Sequence, residues 1–103
     1  MRPRDVVTAM VAAVAAAVPA TAAAAPVTRD QAVRVAKRAA SEKAASLGLT
    51  LPRSEWTAAC YRAGHSRWRC EAGAGQGYCS ASVHVTGTHR HPRAERVRVF
   101  CFE

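Results

Sequence analysis

Four cysteines, Cys60, Cys70, Cys79 and Cys101, fall within the last 45 or so residues of a 103-residue chain and constrain it more than any other feature. The first 25 or so residues read as a leader, which leaves one domain of about 80 residues. A core that small rarely supplies more than about 3–5 kcal/mol on its own, so covalent staples are expected. The cysteines are even in number and follow an export signal, so two disulfides are the default expectation.

The leader itself has a basic start (Arg2, Arg4), an Ala/Val run from Val6 to Val18, then Pro19 and a string of alanines. That order is the n-region, h-region and small-residue site of a secretory signal peptide. Cleavage is expected after Ala22 or Ala25, with Ala22 preferred because the other choice leaves Pro26 as the new N-terminus. The run is Ala-rich, broken by Pro19 and short of the roughly 20 strongly apolar residues a membrane span needs. The reading is therefore residues 1–25 as signal peptide, 26–103 as a single secreted domain, and no membrane span after cleavage. Removing Arg2, Arg4 and Asp5 takes 15 basic and 7 acidic residues to 13 and 6, a net charge of +7. Such a charge speaks to partners and solubility, not to fold.

Thr28 followed by Gln31 has the form of a capping box, with Val27 and Ala32 as a staple across it, so a helix should begin at Arg29. Ala32, Val33, Ala36, Ala39, Ala40, Ala44 and Leu47 recur at helical spacing and leave Arg34, Lys37, Arg38, Ser41 and Lys43 toward water. Gly48 and Pro52 should end the helix. From Glu55 the period changes to two. Four strands are expected over about 55–62, 66–71, 77–86 and 94–102, separated by the breaks AGHS, AGAGQ and GTHRHP. Short breaks imply an antiparallel meander with the helix on one face. The expected fold is α+β, one N-terminal helix packed on a four-stranded antiparallel meander sheet with two disulfides.

Pairing the strands in sequence order sets Cys60 opposite Cys70, Cys70 opposite Cys79 and Cys79 opposite Cys101, one row on one face. Opposed residues lie about 4.5–5.5 Å apart at Cα, within disulfide range, whereas residues two strands apart are about 9.5 Å away. The expected bridges are Cys60 with Cys70 and Cys79 with Cys101. Bridging Cys70 with Cys79 would strand the other two cysteines unless the sheet curls or the strand order differs. Trp56, Ala58, Trp68, Ala81, Val83, Val85, Val97 and Val99 share the cysteine face.

The other face should collect Tyr61, Arg67, Arg69, Glu71, Tyr78, Ser80, Ser82, His84, Arg96, Arg98, Phe100 and Phe102. One helix covers one face only, so this surface is open unless a partner closes it. Arginine beside aromatic rings suits an acidic polymer, and it equally suits a solvated face on which arginine stems cover the rings. Binding is assigned to Tyr61, Arg67, Arg69, Tyr78, Arg96, Arg98, Phe100 and Phe102.

Catalytic machinery is not expected. Asp30 lies in the first helical turn, Glu71 and Glu95 are expected on opposite faces, and there is no nucleophile elbow or phosphate-cradling loop. No close Cys-x-x-Cys pair points to structural zinc, and His89 and His91 lack a third ligand nearby in sequence, so no metal or other cofactor is expected.

A helix followed by a four-stranded meander with two bridges in the strand region resembles the cystatin-like architecture over most of the domain. The hairpin motif of that family, of glutamine-valine-valine-alanine-glycine type, is replaced here by CYRAGHSRW, so cysteine-protease inhibition is not implied. The Ala/Arg-rich composition and leader also look like those of small exported proteins of high-GC actinobacteria, which implies no activity. Secreted actinobacterial subtilisin inhibitors are similar in leader style and in having two disulfides, but no reactive-site loop between cysteines resembles theirs. The expectation is a secreted, basic, non-enzymatic binding protein, monomeric or homodimeric, whose sheet face takes an acidic cell-surface polymer. The alternatives are an inhibitor or interaction module that uses the AGHS or GTHRHP hairpin tip against a secreted protein, and a homodimer formed through the sheet face.

Overall fold

The computed structural model describes residues 25–102. The leader and its cleavage site lie outside the described residues. Helix α1 spans Arg29–Ser46 and is closed at its start by the expected capping box. The Gln31 amide donates to the Thr28 hydroxyl at 3.2 Å, and the Thr28 amide donates to Gln31 Oε1 at 3.0 Å. At the other end Gly48 takes a left-handed φ of 86°. Its amide donates to the Ala45 carbonyl, and the Leu49 amide donates to that of Ala44, which satisfies carbonyls that the helix leaves open. The buried stripe is Ala32, Val35, Ala36, Ala39, Ala40 and Ala44. Val35 belongs to it, Val33 packs at its margin, and Leu47 is exposed because the helix has already ended there.

A 3-10 turn over Arg53–Glu55 precedes β1 (Thr57–Gly64), β2 (Arg67–Ala74), β3 (Cys79–Gly87) and β4 (Pro92–Cys101). Residues 55 and 56, expected to open the first strand, belong to the turn and its cap. The strands form one antiparallel sheet in the order β1-β2-β3-β4, a meander. Cys60 is bonded to Cys70 and Cys79 to Cys101, each pair 4.0 Å apart at Cα.

Two register details differ from expectation. Cys70 stands opposite Val83, and Cys79 stands opposite Ala74, so the cysteines share a face but not a row. The reason is that β2 runs on through Ala72, Gly73 and Ala74, where the break AGAGQ predicts a turn. Ala72 and Ala74 are buried in one cluster with the wholly buried Trp56, whose ring takes the space larger side chains would need. Second, β4 carries a bulge opposite Val83, with Arg96 at φ 52°. The extra residue resets the alternation, so Glu95 sits opposite His84 on the open face, the same face as Glu71.

The core divides along the helix into two clusters, one around Cys60–Cys70 with Trp68, Val83 and Val85, the other around Cys79 with Trp56, Ala40, Ala44 and Ala81. An alanine seam lets the helix lie close on the sheet but buries little area per residue, and each staple reinforces one thin cluster. The segment before the helix is sewn across two turns. The Val27 amide donates to the Ser66 hydroxyl at 3.0 Å, Ser66 donates to the Gly87 carbonyl, and the His89 amide donates to the Ala25 carbonyl at 2.8 Å.

Candidate functional site

On the face away from the helix, strand register arranges the side chains in rows. One row runs Tyr61, Arg69, His84, Glu95, and the next runs Ala59, Glu71, Ser82, Arg98. A third carries Thr57, Gly73, Ser80 and Phe100. In each of the first two rows the arginine and the carboxylate are two strands apart, roughly 9.5 Å at Cα, and no ion pair joins them among the described residues. Among the described residues the one ion pair is Arg93–Glu95 at 3.9 Å, and Thr86 donates a hydrogen bond to the same Glu95 oxygen at 2.9 Å. Glu95 is therefore engaged by its own strand neighbour and by β3. Arg67, Arg69 and Arg98 are exposed and have no acidic partner among the described residues.

Between two of these rows lies a hollow of about 300 Å³ lined by Glu71, Ser80, Ser82, Arg98 and Phe100. Its walls combine one aromatic ring, two hydroxyls, one cation and one anion. That set can hydrogen-bond hydroxyl groups, pair with an acidic group and stack against an apolar ring face.

All eight residues assigned to binding are exposed, but they do not form one surface. Tyr61 lies beside Arg69, and Phe100 shares the hollow with Arg98. Arg96 is the bulge residue and stands outside the rows. Tyr78 and Phe102 lie at the end of the sheet, where the Phe102 amide donates to the Tyr78 carbonyl at 2.9 Å. There they line a groove of about 560 Å³ with Leu47, Leu49, Leu51 and Val99. Phe102 meets Phe100 edge to face at 5.2 Å, so the groove and the hollow adjoin at these two rings. The expectation that all Tyr and Phe side chains interleave with arginine therefore holds for Tyr61 and Phe100 alone. The leucine groove escaped sequence reading because Leu47 completes the helical period on paper, while Leu49 and Leu51 fall in a loop whose path depends on the Gly48 cap.

Both tryptophans are on the helix side, as expected. The Trp68 indole donates to the Val27 carbonyl at 2.9 Å, and the guanidinium groups of Arg29 and Arg62 lie over its ring at 5.5 and 4.7 Å. His89 is bound into the N-terminal strap, with Nδ1 2.9 Å from Gln31 Oε1 and its carbonyl accepting from Gln31 Nε2 at 2.7 Å. Among the described residues no helix is long and apolar enough to cross a membrane. Comparison with family models, with curated proteins and with solved structures finds no match for this chain.

Proposed function

We propose that this chain is a secreted, non-catalytic binding module that takes an acidic polysaccharide across the open face of its sheet. The observation that carries the reading is the hollow in which Phe100, Ser80, Ser82, Glu71 and Arg98 meet, flanked by exposed arginines that have no acidic partner among the described residues. A sugar ring would stack on Phe100 while its hydroxyls bond to Ser80, Ser82 and Glu71, and its acidic group would pair with Arg98. Arg67 and Arg69 would hold neighbouring acidic groups of the same polymer, and the excess of positive charge would speed encounter. Two disulfides are consistent with a chain that works in an oxidising, extracellular setting.

The test is a titration of the isotopically labelled protein with heparin, an anionic polysaccharide, followed through its backbone amide signals. The reading expects shifts at Arg69, Ser80, Ser82, Arg98 and Phe100. Shifts confined to residues outside the sheet face would refute it.

A second reading rests on the leucine groove. The AGHS and GTHRHP turns, the first choices for a protein-binding tip, contribute Ser66 and His89 to the strap that holds the N-terminal segment. The β2–β3 turn is the tip that adjoins exposed apolar surface, through Tyr78 beside Leu47 and Phe102. An interaction module acting on a protein would use that end, and replacing Tyr78 and Phe102 with serine would abolish its binding while leaving heparin binding intact.

A further inference from the structure

Gln31, Arg34 and Arg38 fall at helical spacing along one stripe of α1, on the side of the molecule opposite the open sheet face. The chain after the helix brings a third arginine to this stripe. The Ser41 hydroxyl donates to the Leu51 carbonyl at 3.1 Å and draws the returning loop against the helix. Pro52 then opens the 3-10 turn, and the Arg53 carbonyl accepts from the amide of Trp56 at 3.1 Å. Because the Trp56 side chain is wholly buried, the backbone at Arg53 is anchored to the core by its neighbour three residues on. Arg34, Arg38 and Arg53 consequently line one groove of about 300 Å³, with Val35, Gln31 and Pro92 completing its walls. Gln31 is fixed there by its bonds to Thr28 and His89.

Among the described residues no carboxylate lines this groove. Asp30 lies four residues before Arg34 and Glu42 four residues after Arg38, positions from which an acid can reach a helical arginine. Neither makes an ion pair with it, since the one pair among the described residues is Arg93–Glu95. Three guanidinium groups on two separately anchored elements repel one another and are relieved by a multivalent anion between them. A carboxylate offers two oxygens and is satisfied by the fork of one arginine, whereas a tetrahedral dianion presents acceptors in several directions at once. From this geometry we infer that the Arg34–Arg38–Arg53 groove is an anion-binding site, separate from the sheet face, for a tetrahedral dianion of the phosphate or sulfate class.

The experiment follows arginine Nε–Hε and backbone amide signals of the protein on addition of sodium phosphate, with sodium acetate and sodium chloride at equal ionic strength as references. The expected result is saturable shifts at Arg34, Arg38 and Arg53 with phosphate alone, at a dissociation constant on the order of 1 mM. Replacing the three by glutamine (R34Q, R38Q and R53Q) should weaken the response by about tenfold or more. R69Q with R98Q on the sheet face should leave it unchanged. Tripolyphosphate distinguishes the source, since a gain of about tenfold over phosphate marks a group borne on a longer anion and equal affinity marks a free one. Shifts that follow ionic strength alike for all three salts, or that survive the triple replacement, would overturn the inference.

Discussion

The Trp68 indole N–H meets the Val27 carbonyl at 2.9 Å, whereas the Trp56 indole N–H, also buried, meets no acceptor among the described residues. The two tryptophans thus give a matched pair in which burial is common and the hydrogen bond is not. Trp68→Phe leaves a buried carbonyl unsatisfied and should cost about 1–3 kcal/mol beyond the loss of ring volume. Trp56→Phe gives up ring volume but removes an unpaired polar group, so it should cost less than Trp68→Phe. Urea midpoints for the two variants test this, and an equal or reversed order would contradict the assigned bond.

Non-reducing digestion should yield Cys60 linked to Cys70 and Cys79 linked to Cys101. The loops they close span sequence separations of 10 and 22 residues. Chain entropy then puts their contributions at about 2.7 and 3.4 kcal/mol, respectively. Replacing Cys79 and Cys101 together by alanine should therefore lower stability by roughly 0.7 kcal/mol more than replacing Cys60 and Cys70 together, measured by denaturant unfolding.

Gly87 and Gly48 both have left-handed φ, 102° and 86°, but in different surroundings. A Cβ at Gly87 would run into the His91 carbonyl oxygen, and one at Gly48 would meet open space. Gly48→Ala should cost about 1 kcal/mol from backbone conformation alone. Gly87→Ala should cost distinctly more, because the turn carrying His89 must move and the strap at Ala25 is bonded to it. Thermal unfolding midpoints of the two variants check the order.

What could be read from the sequence was mostly local. Thr28 with Gln31 and Gly48 with Pro52 bound the helix because cap chemistry acts within a few residues. Cys60 finds Cys70 and Cys79 finds Cys101 because each pair closes one short hairpin. The register between β2 and β3 was not legible. Ala72–Gly73–Ala74 has turn composition, and only the bulk of Trp56 beneath it explains why small residues occupy a strand there. The bulge at Arg96 left no trace in the alternation of Val97, Val99 and Cys101, yet it moves Glu95 to the open face. The exposed arginines are legible, but the hollow that brings Arg98 and Phe100 together depends on Ser80 and Ser82, which alternation alone can place but not single out. The helical period leaves Arg34 and Arg38 toward water, and nothing in it indicates that Arg53 joins them.

On the open face, Arg98 shares the hollow while Arg96 is a bulge residue, so charge reversal is best placed at Arg69 and Arg98. Phe100→Ala should weaken heparin binding without changing its dependence on salt, because it removes stacking and no charge. Parallel titrations of this variant and the parent at several salt concentrations would show two lines of equal slope, and a changed slope would remove Phe100 from a stacking role.

The most direct measurement is heparin affinity against salt for the parent protein and for R69E with R98E. If acidic polymer binds through the sheet face, log K for the parent falls linearly with log salt at a slope of roughly −2 to −3, and the double variant binds about tenfold or more weakly while keeping its unfolding midpoint. A parent affinity indifferent to salt, or a double variant that binds as the parent does, would contradict the account.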